Sequence, residues 1–290
     1  MSAISRNDFG ALLRHMRGHR GVSQLALGLA AEVSSRHMSF LETGRARPSR
    51  EMVLRLGEAL GLSMRDCNEM LLAAGFAPVY GQTGLEHPDM MPVRHALERI
   101  LSSHEPYPAI VLDRLWNIVR GNRTHHRLLA ALVGDRLDAG GPVNALRLVF
   151  DPRSLRPCIR NWDEVARVLW HRLRQQAFMA PPRDAVHDLL AEVSRYPGVT
   201  DIADGRAPHA GNAMLLPLQL AMGNRMWSWF STIATIGTPQ DVTLQELRIE
   251  TMFPMDEATE RLAKEFAGRA GENANMARHG EAARRAGHRR

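Results

Sequence analysis

Within six residues the chain carries Ser35, Arg36, Ser39 and Phe40. On a helix these positions share a side, because residues three and four apart lie over one another. Arginine can donate two parallel bonds to a guanine edge, and serine can exchange bonds with several bases. Gln24 precedes them at the opening of another helix, where a side-chain amide and free backbone N–H groups suit a phosphate. Ser23 and Ser34 stand at the starts of the two helices and Arg45 follows the second, completing the candidate set for contact with double-stranded DNA. A different chemistry collects later in the chain. Met214, Met222, Met226, Trp227, Trp229 and Phe230 lie close together, and Trp162 and Trp170 share a helical stretch. Methionine conforms to irregular apolar shapes, so Trp116, Trp162, Trp170, Met214 and Phe230 are candidate contacts for a small apolar ligand. Ordinary core packing is the competing reading of each.

Catalytic and metal-binding patterns are missing. His125 and His126 are adjacent and would point about 100° apart on a helix, a poor joint metal site. His171 and His209 stand alone. The chain has no His-Glu-x-x-His helix, paired-cysteine motif, phosphate-cradling glycine loop or Gly-x-Ser-x-Gly elbow. Ser231 and Thr232 follow the aromatic run, with nothing nearby to mark a nucleophile. The expectation is a non-enzyme with no cofactor and no metal.

The elements that must hold the first group are short helices. Ser5 can cap a helix with a returning bond from Asp8 and an Ile4–Phe9 staple, and Phe9, Leu12, Leu13 and Met16 then form its apolar face. Ser23 opens a second helix reaching about Ala31, and Ser34 a third ending near Thr43 and Gly44. Pro48 and Ser49 start a fourth, with Val53, Leu56 and Leu60, and Ser63 caps a fifth ending near Gly75. Residues 24–43 therefore read as a helix-turn-helix: Gly28 at the crossing, Leu27, Ala31, Met38 and Leu41 inward, the candidate readers outward. Arg17 and Glu42 have the spacing for an ion pair between the first and third helices. The segment resembles the lambda-repressor-like, or Xre, family, on Arg17, Ser23, Gln24, Gly28, the run from Met38 to Glu42, and Gly44. It departs from the pattern at Glu32, a turn position where glycine would favour positive φ, so strain or a different turn shape is expected there. The competing reading is a five-helix bundle that binds protein.

Gly75, Pro78, Gly81, Gly84, Pro88 and Pro92 interrupt any helix between the fifth and the next, predicting a linker that packs through Phe76, Val79 and Tyr80. Beyond it, helices are expected over 93–103, 122–133, 163–178, 184–196 and 256–267. Strands are expected over 109–113 and 115–120, and two apolar runs, 213–222 and 226–236, flank a hairpin turn at Gly223–Arg225. Alternation of Leu247, Ile249, Thr251 and Phe253 favours a strand there, although Thr243 to Glu246 could form a capping box. Alternation also separates Trp227, Trp229 and Ser231 from Ser228, Phe230 and Thr232, without saying which face is interior. The pattern is an antiparallel sheet with helices mixed in.

Charge agrees with this division. Residues 1–66 carry ten arginines against six acidic residues, a net of +4, and residues 268–290 carry six against two, again +4. The chain as a whole is +6, so its middle is slightly acidic. Basic ends attract phosphate without reading sequence. The longest apolar runs fall short of the roughly 20 residues a membrane span needs, the first ten residues have no signal-peptide core, and two cysteines form no disulfide framework. The expectation is a cytoplasmic protein with no membrane insertion.

Several separated segments, in order, resemble the MmyB-like regulator family: Leu71 to Tyr80, His104 to Ala109, Trp116 to Asn122, Arg160 to Trp162, Phe230 to Leu244, and Glu250 to Pro254. The resemblance implies a C-terminal ligand-binding domain of PAS-like fold, sensing a small apolar ligand such as a fatty acid. The expected architecture is a multidomain chain: an all-α lambda-repressor-like helix-turn-helix head over 1–75, a linker over 76–92, a PAS-like α+β sensor over 93–267 and a disordered basic tail over 268–290. The expected function is sequence-specific DNA-binding transcription regulation as a homodimer. The alternative is a second domain that mediates only protein assembly.

Overall fold

The computed structural model describes residues 7–134, 141–203, 215 and 217–268. They form two compact units. One comprises the described parts of Met1–Met91, His171–Glu192 and Thr235–Leu247; the other those of Pro92–Trp170, Val193–Ala234 and Arg248–Arg290.

The first unit opens with α1 (Asn7–His19), α2 (Gln24–Ala30), α3 (Ser35–Glu42), α4 (Arg50–Ala59) and α5 (Met64–Ala73). Four of them begin alike: Ser23, Ser34, Ser49 and Ser63 each accept a bond from the backbone N–H three residues on, a cap worth about 1 kcal/mol. The cap expected at Ser5, with its Ile4 staple, lies outside the described residues. Phe9, Leu13, Met16, Leu27, Met38, Leu41, Val53 and Leu56 pack into one core. Two glycines allow the helices to approach. A Cβ on Gly28 would stand 2.6 Å from the Val33 carbonyl oxygen, and one on Gly10 2.6 Å from that of Leu41. Gly28 is where the sequence places the crossing; Gly10 carries no local signal. Glu32 takes φ +56°, so the turn keeps its left-handed shape and the glutamate bears the strain.

Past the fifth helix the connector is held mainly by polar bonds. The Asn68 amide donates to the Tyr80 carbonyl at 2.8 Å, and its oxygen accepts from the N–H groups of Val79 and Tyr80 at 3.0 and 3.1 Å. Phe76 packs on the head's core, but Val79 is exposed, which corrects its expected role as an apolar anchor.

The remaining elements run in order α6 (Met91–Ser103), β1 (Ala109–Leu112), β2 (Ile118–Gly121), α7 (Arg123–Val133), α8 (Ala145–Phe150), α9 (Trp162–Met179), α10 (Ala185–Val193), α11 (Val199–Ala203), β3 (Leu218–Met222), β4 (Arg225–Ala234), α12 (Val242–Glu246) and β5 (Arg248–Pro254). A last helix, α13, spans 257–268. The strands form one antiparallel sheet in the order β2-β1-β5-β4-β3. The chain thus joins a helical head to an α+β domain built on an antiparallel sheet.

Three local expectations change. The second strand begins at Ile118, not Leu115, because Asp113 turns the chain: its Oδ1 accepts from the N–H groups of Leu115 and Asn117, both at 2.8 Å, and Trp116 takes φ +66°. The segment around Thr243 is both helix and strand, since Asp241 caps α12 through Thr243 N–H at 2.8 Å and β5 starts two residues after α12 ends. The apolar run 226–236 stops as a strand at Ala234. Of the run 213–222, residues 213, 214 and 216 lie outside the described residues, as does the basic tail beyond Gly268.

Within the first unit, α12 is fastened to α5 and to the connector. Gln245 accepts from the Met64 N–H at 2.8 Å, and Arg65 forks onto Glu246 at 2.6 and 2.9 Å. Asp241 accepts from Thr83 N–H at 2.9 Å, and Val242 N–H donates to the Gly81 carbonyl at 2.8 Å.

Candidate functional site

The two faces of α3 are sharply different. Met38, Leu41 and Glu42 are buried, whereas Ser35 and Arg36 are exposed and Ser39 and Phe40 half-buried. The Arg36 guanidinium stands 5.5 Å from the centre of the Phe40 ring. These four candidates come together on one outward surface, with exposed Arg45 following. Ser23 and Ser34 use their hydroxyls as acceptors for Ala26 and His37 N–H, at 3.1 and 3.2 Å. Gln24 is half-buried, and its amide donates to Glu42 Oε2 at 2.7 Å. One of its N–H bonds is therefore committed inside the head, to Glu42.

Glu42 is the centre of this arrangement. Arg17 binds it through Nε at 2.6 Å and Nη2 at 3.1 Å and reaches the Val22 carbonyl at 2.7 Å, while Arg14 Nε lies 3.5 Å away. The expected pair between the first and third helices is thus present, with the Glu42 side chain wholly buried and Arg17 16% exposed. Burial by itself pushes the Glu42 carboxyl up, but the bonds from Arg17 and Gln24 and the nearby arginine charges outweigh it and hold it below the usual carboxylate value. The Arg17 guanidinium is raised by its bond to Glu42. The network ties α3 to α1 and to the start of α2.

The aromatic candidates do not gather in the same way. Trp116 is buried, with the Arg248 guanidinium 5.7 Å from its ring. Trp162 donates its N–H to the Val149 carbonyl at 2.9 Å and stacks under Arg156 at 3.4 Å, which fixes it in packing. Phe230 stacks on Phe253 at 5.3 Å, on the sheet face opposite Trp227 and Trp229. Trp170 is buried, and Met214 lies outside the described residues. The interior aromatics of β4 are Trp227 and Trp229, 2% and 0% exposed. Alternation had paired them but could not orient them. Their rings lie 5.9 Å apart, with Tyr107 6.3 Å from Trp229 and Phe266 5.6 Å from Trp227.

An open groove on the first unit is lined by Ala11, Arg14, His15, Gly18, His19 and Phe178; none of the five aromatic or methionine candidates lines it. His125 is buried and its imidazole is pushed down to about 4 by that burial and by the charge of His126. His209 lies outside the described residues, among which no cluster of three His, Cys, Asp or Glu side chains is placed to hold a metal.

Residues 93–265 match the ligand binding domain of MmyB-like transcription regulators. The chain belongs to this family. Residues 8–69 of the MmyB-like chain match a helix-turn-helix domain, and the two matches together make it a DNA-binding transcription regulator. No curated protein matches it. Among solved structures it is similar to the clp gene regulator ClgR from Corynebacterium glutamicum. In one structure of that regulator the identity is 33% over 26% of this chain and 92% of the other, with a TM-score of 0.22. In another it is 29% over 35% of this chain and 94% of the other, again with a TM-score of 0.22. An RNA-binding light-oxygen-voltage receptor is 13% identical over 94% of this chain and 65% of its own, with a TM-score of 0.23.

Proposed function

We propose that this regulator binds its operator as a homodimer through the outward face of α3, and that residues 93–267 change its grip on DNA when they take up a small apolar ligand, a fatty acid by class. The head spans 1–75 and the linker 76–92. The observation that carries the reading is the division of α3: one face locked on Glu42 and the core, the other offering Ser35, Arg36, Ser39 and Phe40 to a groove. One helix-turn-helix reads only a half-site, which favours a dimer on a two-fold operator. Regulation, not catalysis, is the activity, carried out in the cytoplasm where the DNA is.

A ligand shifts an equilibrium only by its differential affinity for two states. The element suited to carry that difference is α12, which stands in the chain between β4, with its tryptophans, and β5, and is bonded to the first turn of α5 through Gln245 and Glu246. A typical coupling of about 1–3 kcal/mol changes affinity about 5- to 150-fold. The test is to select sites for the full-length chain from random duplexes, then titrate medium- and long-chain fatty acids while following tryptophan fluorescence and operator affinity. Uptake with changed affinity is the expected result. Uptake without it refutes the switch, and no uptake of any apolar compound returns the domain to an assembly role.

A further inference from the structure

We propose that His15, His19 and His187 form an acid-opened clasp, which holds the segment from Phe178 to His187 against α1 at neutral pH and releases it as the imidazoles take up protons. The device requires neither the apolar ligand nor DNA, and it gives the regulator a second input.

Residues 171–192 belong to the first unit, although the chain on either side of them, up to Trp170 and from Val193, belongs to the second. They meet α1 through rings. His15 Nε2 lies 3.1 Å from the Ala180 carbonyl oxygen, and His187 Nε2 2.9 Å from that of Pro181. His19 Nδ1 lies 2.8 Å from the His15 carbonyl oxygen, one turn back on α1. A carbonyl only accepts, so these three nitrogens donate, and each neutral ring has its one proton committed. The His15 and His19 rings are 3.9 Å apart, and the Phe178 ring is 4.3 Å from that of His19. Two imidazoles thus stand on one side of the contact, four residues apart on α1, and the third stands on α10.

Protonation leaves those bonds in place, because the second proton goes to the other nitrogen of each ring. What it adds is like charge at close range. The charged groups around the cluster come from three elements. On α1 are Arg14, which lines one groove with His15 and His19, and Arg20. On α5 is Asp66, 3.9 Å from Arg20. At the start of α10 is Asp184, which disfavours the charge of Asp66 and is shared with Arg65. Two carboxylates therefore face at least two guanidinium groups before any imidazole is charged. His15 shows the consequence. Burial first, and then the charges of His19 and His187, hold its imidazole below the ordinary value, against the pull of the Ala180 carbonyl and Asp66. An open clasp takes that proton first, so the closed form is complete above about pH 6.5 and loosens as pH falls. Asp66 has the opposite sign. Its carboxyl is raised by burial, so its own protonation favours the closed form.

Hydrogen exchange of the full-length chain reads the clasp directly, at about pH 7.5 and about pH 5.5, after division by the intrinsic exchange rate at each pH. Protection of residues 180–192 should fall about fivefold or more, the weight of one like-charge pair about 4 Å apart even in water. Protection of α3 should change less than about twofold over the same interval. The amide of His15→Gln can still donate to the Ala180 carbonyl but takes up no proton, so this variant should keep the segment within about twofold at both pH values. His187→Gln makes the same test from the other side of the contact if His15→Gln does not fold. Equal protection of residues 180–192 at the two pH values overturns the clasp. A fall of the same size in the glutamine variant assigns the effect to another group and also overturns it, as does an equal fall in α3, which would mean that acid melts the head as a whole.

Discussion

Glu42 and Trp229 are both fully buried, one in the helical head and the other in the sheet. Glu42 accepts from Arg17 and Gln24 and lies beside Arg14; the N–H of Trp229 meets no acceptor. The same contrast runs through the two regions. Among the described residues, no buried side-chain nitrogen or oxygen of the head lacks a partner, whereas the sheet domain holds four such donors. A structure whose polar interior is closed on itself needs nothing further to hold its shape, which suits a device that must present α3 at a fixed angle. A structure that buries donors without acceptors is less stable by the desolvation of each.

The largest effect should come from opening the closed side. Glu42→Ala leaves Arg17 and its neighbours facing a buried void, a loss of about 3–5 kcal/mol. Denaturant melts of the full chain, with hydrogen exchange following α1 and α3, should show the head melting early; an unchanged head would erase the contrast. The pH dependence has a definite sign. The folded Glu42 carboxyl lies below its ordinary value, so its contribution is complete above the unfolded pKa and is lost as pH falls through the folded one.

The sheet domain has an acid weakness of its own. The His125 imidazole, ordinarily near 6.5, is held at about 4. The unfolded chain therefore takes up a proton first, and stability that is complete above pH 6.5 declines as pH drops toward 4. That amounts to about 3 kcal/mol across the window. His125→Gln should flatten this limb of the profile; an equal slope with and without the imidazole would show that the burial does not matter. At the DNA surface, Arg36→Ala should cost about 1–3 kcal/mol of operator affinity and relax the preference at one base. Weakening that is uniform over all sequences would move Arg36 from base to phosphate. Smallest in stability is Arg65→Gln at the fork to Glu246. With both partners about one-fifth exposed, it should cost about 1 kcal/mol or less. Its sharper effect is on coupling: ligand uptake should remain while its influence on operator affinity shrinks.

How much of this could be read from sequence follows the same division. The head is local chemistry. Serine caps at positions 23, 34, 49 and 63, apolar spacing along each helix and the small residue at Gly28 all act within a few residues, and the Arg17–Glu42 pair follows from placing those helices. What escaped there were distant contacts: Gly10 against the Leu41 carbonyl, and Gln24 turned inward to Glu42. In the sheet domain the strands were visible as alternation, but alternation leaves open which face is covered. Phe230 was therefore a candidate beside Trp162, whose N–H is closed on Val149, while Trp227 and Trp229 were left unassigned. The bonds of α12 to Met64 and Arg65 join residues 181 positions apart, a separation over which one sequence carries no periodic signal. Asp113 turned a stretch that reads as strand because its side chain competes for backbone N–H groups.

The measurement that bears most directly on the account is the operator Kd of the full-length regulator with and without saturating dodecanoate, uptake being followed in the same sample by tryptophan fluorescence. The account predicts a change of about 5- to 150-fold that Arg65→Gln diminishes. An operator Kd that stays the same while dodecanoate is demonstrably bound would contradict it.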